Sequence, residues 1–314
     1  MSTLTLLLPP RRVLAADAQL AAGPIARWLS RGDTAPSATA GRDIAIRELF
    51  QFAGKTIPVA ALTRQADCGD AGDNVWLRAD PAHVRADMAT ARMLACGELG
   101  LSAEDCQELL RPLKPLFGDS GFPIDAPVPS RWYLRAPAGA QLPVFVPPDQ
   151  ALGDDLRLHL PDGNEGKRWR SLLNEAQIVL HNHPLNQQRA ARGQLPVNSL
   201  WFWGAGSLPQ WIKTPLARVL TRDAVLAALA RQAGCAVVAP QPDALAGFDG
   251  HTLVDLDDAA SLAALAAQWL PALERALAGG KLSELRLQLA SGERAIYRHG
   301  HRWRFWRSAR PLRA

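Results

Sequence analysis

Short apolar runs alternate with amphipathic stretches along the chain, and this alternation predicts strands that are followed by helices. The apolar run at residues 4–8 predicts a buried strand ended by Pro9 and Pro10, and residues 15–30 carry apolar side chains at helical spacing. The same patterns predict strands at 74–78, 131–135, 199–203, 236–238, 252–256, 285–289 and 295–306, and helices at 43–52, 102–110, 167–182, 222–232 and 262–277. This order predicts an α/β fold with a mainly parallel sheet flanked by helices.

Local signals refine three of these elements. Ser102 is a predicted helix N-cap with Asp105 as the capping-box acid, and Pro112 and Pro115 are expected to end that helix. The Asp80-Pro81 pair predicts a turn after the strand at 74–78. In the terminal strand, alternation would place arginines on one face and aromatic rings on the other.

Length and composition limit the class of protein. The chain has 314 residues and is 48% hydrophobic, enough for one large α/β domain or two smaller ones. No apolar run is long enough to cross a bilayer, and the N-terminus lacks the basic segment of a signal peptide. The four cysteines form no Cys-x-x-Cys pair, which favours free thiols in a reducing cytoplasm. We therefore expect a cytoplasmic protein with no membrane partner.

The charge is unevenly distributed. Lysine and arginine exceed aspartate and glutamate by 35 to 30, and no acidic residue follows Glu293. Arginines interleaved with aromatic rings can bind phosphates and stack on bases. This pattern predicts an anionic-partner surface, with nucleic acid as one hypothesis, at Arg298, Arg302, Arg304 and Arg307. The alternative is an edge strand whose charges only prevent aggregation.

Residues 183–206, HPLNQQRAARGQLPVNSLWFWGAG, contain a helix end, a turn, a buried strand and a glycine-rich corner. This segment closely resembles one in the archaeal-type cofactor-independent phosphoglycerate mutases of the alkaline phosphatase superfamily. The resemblance implies a phosphatase-like α/β core at residues 1–60 and 199–314, with an inserted α+β domain at 61–198. It also implies a serine nucleophile and two divalent cations such as manganese.

A second resemblance covers nearly the whole chain. Residues 69–84, GDAGDNVWLRADPAHV, residues 131–134, RWYL, and residues 169–206 resemble the RpfE-type regulatory proteins of proteobacteria, which are often labelled phosphoglycerate mutase-like. This resemblance implies a regulatory role, with an unknown protein or anionic ligand as partner.

The chain departs from the mutase pattern where the resemblance implies catalytic groups. Pro9-Pro10 replaces the Asp-Gly pair that ends the first metal-binding strand, and Gly41-Arg42-Asp43 aligns with the loop that carries the serine nucleophile. Trp203 begins the glycine corner in place of a phosphate-binding arginine. An arginine in place of the serine removes the nucleophile.

The late metal ligands depart as well. Asp255, Asp257 and Asp258 remain without a histidine at the right offset, and Ala290-Ser291-Gly292 lies where an Asp-His pair is expected. Two adjacent divalent cations need several carboxylates and imidazoles that converge on one point. We therefore predict a catalytically degenerate protein with no cofactor and no catalytic residues. The alternative is an active, metal-dependent mutase or phosphatase.

A remaining set of polar residues could form a ligand site in the middle of the chain. Asp80 and His83 could form part of a polar pocket, and His183 could bind a metal or phosphate or, as a cation near a helix C-terminus, interact with the helix dipole. Arg189 could pair with an acid such as Glu175 or hold an anion. Asn186 and Asn198 could bind a ligand or could brace a turn through hydrogen bonds from their side chains to the backbone. The candidate ligand-binding residues are Arg78, Asp80, His83, His183, Asn186, Arg189 and Asn198.

Overall fold

A computed structural model describes residues 2–36, 39–87, 90–245 and 250–313, with the backbone alone at 259 and 260. The strands in chain order are β1 (Thr3–Leu8), β2 (Asp33–Thr34), β3 (Gln51–Phe52), β4 (Val75–Ala86), β5 (Ala91–Cys96), β6 (Ile124–Val128), β7 (Arg131–Ala136), β8 (Ser199–Gly206), β9 (Ile212–Lys213), β10 (Arg218–Leu220), β11 (Ala236–Val238), β12 (His251–Asp255), β13 (Glu284–Leu289) and β14 (Arg294–Arg298).

The helices are α1 (Arg11–Ala15), α2 (Ala18–Ala22), α3 (Pro24–Arg31), α4 (Arg42–Leu49), α5 (Val59–Cys68), α6 (Ala103–Asp119), α7 (Pro148–Ala151), α8 (Gly163–His181), α9 (Pro184–Ala191), α10 (Ala224–Gln232), α11 (Ala259–Ala264) and α12 (Leu270–Ala278). A π-helical turn, Leu265–Trp269, joins α11 to α12. The helix predicted over 15–30 is broken into parts of α1, α2 and α3, because Asp17 and Gly23 stand at helix ends.

The chain forms two compact units, and unit 1 comprises Met1–Gly54 and Gln210–Ala314. Its seven-stranded sheet has the order β11-β10-β12-β1-β13-β14-β2. The first five strands in that order are parallel, whereas β14 runs antiparallel to both β13 and β2. Alternate leucines of β1 pack with Trp28 of α3 and Trp269 into the main core of this unit. The observed fold is thus the mixed α/β class that the sequence predicts, with a large, mostly parallel sheet flanked by helices.

Unit 2 comprises Lys55–Pro209 and is built on an antiparallel sheet. The long strand β4 pairs with β7 through its first residues, with β5 through its last residues, and with β8 over Trp76–Ala82. Helices α6 and α8 cover this sheet and bury Phe117 and Trp169 against Phe202. The domain boundary predicted from the sequence lies between residues 198 and 199 and would assign β8 to the other domain. In the structure, β8 belongs to unit 2, where it pairs with β4.

Strand β4 continues through Asp80-Pro81 to Ala86, so the predicted turn is wrong. Proline lacks a backbone N–H, but its carbonyl still accepts a hydrogen bond, here from Gly97 N at 2.9 Å. Pro81 also holds its register opposite Leu200 of β8. A strand can therefore pass through a proline where pairing on both sides does not need that donor.

Helix α6 confirms the predicted capping box, with Ser102 Oγ 3.1 Å from Asp105 N and Ser102 N 3.2 Å from an Asp105 carboxylate oxygen. The prediction that Pro112 and Pro115 end the helix is wrong, because α6 runs to Asp119. The apolar stripe continues past the prolines, and both Leu113 and Phe117 are fully buried. Their burial outweighs the backbone hydrogen bonds that two prolines remove.

The predicted C-terminal strand over 295–306 ends earlier, at Arg298, and a short 3-10 helix follows at His299–Trp303. Arg298 pairs with Glu284, which is the first residue of β13, so no partner strand remains for the residues that follow. Arg302 and Arg304 therefore do not share a strand face with Arg298, so that part of the prediction is wrong.

Within the described ranges, no helix is long and apolar enough to cross a membrane. All four cysteines are free thiols, and Cys106 and Cys235 are buried.

Candidate functional site

The parallel strands of unit 1 end at a common edge, where four distant segments meet. Backbone hydrogen bonds of 2.9 Å join Leu7 O to Leu256 N, Leu8 O to Ala290 N, and Ala290 O to Gly41 N. In open α/β sheets, ligands bind at the carboxyl ends of the strands. The segments around Pro9, Arg42, Asp255 and Ala290 therefore lie at the edge where such a fold places its chemistry.

Arg42, the first residue of α4, forms a two-pronged ion pair at this edge. Its Nη1 and Nη2 atoms lie 2.8 and 2.7 Å from the two carboxylate oxygens of Asp255, which is 3% exposed. Nη1 also lies 3.4 Å from Asp257, and Nη2 lies 3.9 Å from Asp223. Thr221 Oγ1 donates a further hydrogen bond of 2.6 Å to Asp255. We call these five residues the Arg42 cluster.

In the Arg42 cluster, the guanidinium and the carboxylates act on each other's pKa values. Burial lowers the pKa of Arg42, but the bonded Asp255 and the other two carboxylates more than reverse this, so its pKa lies above the ordinary value. Burial raises the pKa of Asp257, and the Arg42 guanidinium offsets only part of that rise. The guanidinium therefore remains a fixed cation inside an acidic cluster.

The Arg42 cluster does not fit the pair of divalent cations that the mutase resemblance implies. The Asp255 oxygens already accept from Arg42 Nη1, Arg42 Nη2, Thr221 Oγ1 and Asp257 N. No imidazole joins the cluster, and the part of the chain described here has no group of three or more His, Cys, Asp or Glu side chains arranged to hold a metal ion. A bidentate guanidinium occupies the carboxylate that a metal ion would need.

In unit 2, a second buried ion pair joins Arg78 to Asp80. Residues two apart on a strand share a face, and here Nε and Nη2 of Arg78 each lie 2.8 Å from an Asp80 oxygen. Trp203 Nε1 donates to the same carboxylate at 2.7 Å, and Trp132 N donates at 3.2 Å. Burial raises the pKa of Asp80, and the paired Arg78 acts against that rise.

The Arg78–Asp80 pair leaves little for a ligand to bind. The two residues are 5% and 2% exposed, and the Arg78 guanidinium lies 5.2 Å from the Trp203 ring centre and 5.4 Å from that of Tyr133. Trp203 stands where the mutase resemblance implies a phosphate-binding arginine, and its indole N–H is used inside the protein. The polar atoms of Arg78 and Asp80 are thus used in hydrogen bonds within the protein.

Helix α5, which the sequence patterns did not predict, adds three more ion pairs to this unit. Arg64 binds Asp70 at 2.5 and 2.6 Å and Asp125 at 2.7 Å. Asp67 accepts from Arg131 at 2.7 Å and from Tyr133 Oη at 2.6 Å. Burial by itself would raise the pKa of Asp67, but these two donors outweigh it and hold the pKa below the ordinary value.

Asn186 and Arg189 brace the segment that links α9 to β8. The Asn186 amide donates to Leu180 O and Val197 O at 2.7 and 2.8 Å and accepts from Val197 N at 2.8 Å. Arg189, which is fully buried, donates to Leu99 O at 2.5 Å and Leu195 O at 3.0 Å. Its acidic partner is Asp105, at 3.4 Å.

The predicted pairing of Arg189 with Glu175 is therefore wrong. Glu175 lies on an exposed part of α8, where it accepts a hydrogen bond from Ser171 one helical turn earlier. The Arg189 side chain instead reaches the capped start of α6.

Replacing Asn186 with alanine is expected to lower the free energy of unfolding by about 2–3 kcal/mol, because it leaves buried backbone groups of Leu180 and Val197 without partners. Chemical denaturation measures the change. Asn164→Ala, at an exposed position of α8, is the matched control and should have little effect. Unchanged stability in Asn186→Ala would contradict the bracing role and favour a ligand role.

The other three candidates each bond to nearby backbone. His83 Nδ1 lies 2.9 Å from Pro196 O, and Asn198 bonds both to Val84 N at 2.8 Å and to Val84 O at 2.7 Å. These contacts lie beside the register shift between His83 and Val84. His183 is the N-cap of α9, where its Nδ1 accepts from Leu185 N. Of the seven candidates, the described contacts join only Arg78 to Asp80, and a ligand role for the set stays a prediction.

No protein-family model matches the chain. Over 175 residues the chain is 27% identical to a probable 2,3-bisphosphoglycerate-independent phosphoglycerate mutase of Geobacter sulfurreducens, an alignment covering 54% of this chain and 43% of the relative. It is 28% identical over 177 residues to the 2,3-bisphosphoglycerate-independent phosphoglycerate mutase of Methanosarcina barkeri, with 55% and 43% covered. The chain thus spans less than half the length of these relatives.

The chain also resembles solved structures. The PH0037 protein from Pyrococcus horikoshii matches with a TM-score of 0.47 and 14% identity, over 95% of this chain and 87% of that one. The cofactor-independent phosphoglycerate mutase from Thermoplasma acidophilum matches with a TM-score of 0.43 and 15% identity, over 96% and 90%. The sequence relatives confirm that this chain has archaeal-type cofactor-independent phosphoglycerate mutases as homologues, at modest identity and over part of its length.

Proposed function

We propose that this chain is a catalytically degenerate relative of the cofactor-independent phosphoglycerate mutases, with a binding or regulatory role in place of phosphoryl transfer. The observation that carries the proposal is the bidentate contact between Arg42 and Asp255. Serine-based phosphoryl transfer needs a hydroxyl whose pKa is lowered by nearby cations, and cations to neutralise the developing charge. Arg42 has no hydroxyl and occupies the carboxylate that would hold a cation.

Two further features support the proposal. The end of β1 carries Pro9 and Pro10, which have no metal-binding side chain, and Ser291 at the end of β13 accepts from Arg11 N and bonds to Glu293. A fixed guanidinium can still attract anionic groups, but it cannot attack phosphorus. The regulatory part of the proposal rests on the resemblance to RpfE-type proteins, and a cytoplasmic location fits the four free thiols.

We expect the purified protein to show no turnover of 3-phosphoglycerate or of an aryl phosphate in the presence of manganese, and no stoichiometric manganese after dialysis. A coupled mutase assay and elemental analysis measure the two quantities, with the Methanosarcina barkeri mutase as positive control.

The Arg42→Ser variant tests whether the arginine alone blocks an intact site. It is expected to stay inactive, because the strand ends at Pro10 and Ala290 supply no ligands. Turnover that is abolished by a chelator, in either the native protein or this variant, would overturn the proposal and restore the active-enzyme alternative.

A further inference from the structure

The C-terminal segment, residues 299–313, holds the most exposed aromatic rings of the described chain. Trp303, Phe305 and Trp306 are 59%, 69% and 74% exposed. By contrast, Trp28, Trp132, Trp169 and Trp269 are each at most 2% exposed. Three large rings in solvent within four residues form a patch that the fold itself does not use.

This exposure belongs to an anchored segment. Arg31 donates from its side chain to Arg302 O at 3.1 Å and to Arg307 O at 3.3 Å, and Leu312 N donates to Ala21 O at 2.9 Å. Arg307 reaches Gly32 O at 2.8 Å. The backbone that carries the rings is therefore tied to α2, α3 and the start of β2, which preorganises the patch for binding.

The structure separates the C-terminal arginines, including the four predicted to bind an anion, into two groups. Arg298 and Arg304 lie 3.1 and 2.6 Å from Asp33, whose pKa is lowered mainly by the hydrogen bond from Arg304. These two, with Arg307, hold the segment in place. Arg302 and Arg310 have no carboxylate partner within the described ranges, and no acidic residue follows Glu293.

One of these two guanidinium groups, that of Arg302, lies beside an exposed ring. The Arg302 guanidinium carbon is 4.8 Å from the Trp303 ring centre, and the rings of Phe305 and Trp306 meet edge to face at 6.1 Å. The exposed rings are flanked in the sequence by Arg302 and Arg310, so stacking surfaces and cationic groups occur together, as binding of a chain of flat bases joined by phosphates requires. A membrane surface matches less well, because Leu312, the leucine of this segment, is buried rather than free to insert.

We propose that Trp303, Phe305 and Trp306, together with Arg302 and Arg310, form a binding surface for single-stranded nucleic acid. Bases of a single strand are open to stacking on these rings, whereas bases in a duplex are already stacked. The guanidinium groups of Arg302 and Arg310 bind the phosphates. This surface is separate from the Arg42 cluster, so the proposal does not depend on whether the chain is an enzyme.

The test is fluorescence anisotropy of labelled oligo(dT), oligo(U) and a duplex of equal length, titrated with the full chain at several salt concentrations. We expect both single strands to bind more tightly than the duplex, and comparison of oligo(dT) with oligo(U) identifies the preferred sugar. Trp303→Ala and Trp306→Ala should each weaken binding about tenfold. Arg302→Ala should reduce the dependence of log affinity on log salt by about 0.7.

Trp211→Ala and Arg192→Ala are the matched controls, because both residues are exposed and lie outside the segment. Both should bind as the native protein does, and circular dichroism should show that all variants fold. Three results would overturn the proposal: no binding at low salt, ring variants that bind as tightly as the native protein, or equal affinity for duplex. A fourth is ring-dependent binding to phosphatidylserine vesicles without oligonucleotide binding.

Discussion

Replacing Arg42 with alanine is expected to lower the free energy of unfolding by about 3–5 kcal/mol, because it leaves the buried carboxylate of Asp255 without its cation. Asp257 and Asp223 also lie 3.4 and 3.9 Å from Arg42 and would lose the same electrostatic attraction. The difference from the native protein should shrink as the pH is lowered, because burial raises the pKa of Asp257 and its protonation removes one of the charges that Arg42 neutralises. Urea denaturation at several pH values measures both effects.

Arg12→Ala is a suitable control for the Arg42 variant, because Arg12 is an exposed arginine on α1 in the same unit. It should change the stability by no more than about 0.5 kcal/mol at any pH. If Arg42→Ala unfolded at the same urea concentration as this control, the guanidinium would not be neutralising the cluster, and the structural basis of the proposed degeneracy would be lost.

Replacing Arg78 with leucine is expected to cost a similar amount, about 3–5 kcal/mol, because the Asp80 carboxylate would stay buried with only the Trp203 and Trp132 N–H groups as donors. The double variant Arg78→Leu with Asp80→Leu should recover part of the loss, since it removes the unpaired charge as well. A double-mutant cycle on unfolding free energies measures this coupling.

Arg85→Leu, at an exposed position on the same strand, controls for the change in side-chain type. It is expected to leave the unfolding free energy nearly unchanged. Strictly additive losses from the Arg78 and Asp80 substitutions would show that the two residues do not stabilise each other, and would reopen the prediction that they serve a ligand.

Sequence patterns that involve residues close together in the chain predicted the capping box and the fold class correctly. The Ser102 and Asp105 capping box forms as expected, since both hydrogen bonds join residues three apart. The alternation of apolar strands and helices gave the α/β class, because each pattern reports the face that an element buries. Pro112 misled the helix prediction, since the sequence alone does not show that the burial of Phe117 outweighs the lost hydrogen bond.

The candidate sites were harder to predict, because their residues meet only after folding. Arg42 and Asp255 come together only when the parallel sheet has formed. They are far apart in the sequence, so no short-range pattern predicts their contact. Helix α5 was missed although Gly69, which ends it in the left-handed conformation at a φ of 72°, was a recognisable stop signal. The resemblance to the mutases pointed to segments that meet at the carboxyl edge of the sheet. The structure then shows that the Arg42 guanidinium binds the Asp255 carboxylate at that edge.

The order of segments along the chain also affects the order in which the two units can fold during translation. Unit 2 is one continuous stretch, Lys55–Pro209, whereas the central strand β1 of unit 1 pairs Thr3 with His251 and Glu284. Pairings between such distant residues form slowly, and domains fold as their residues leave the ribosome. The core of unit 2 can therefore form before β12 and β13, the two strands that pair with β1, have been translated. During that interval the leucine-rich strand β1 lacks both of the strands with which it pairs in the folded protein.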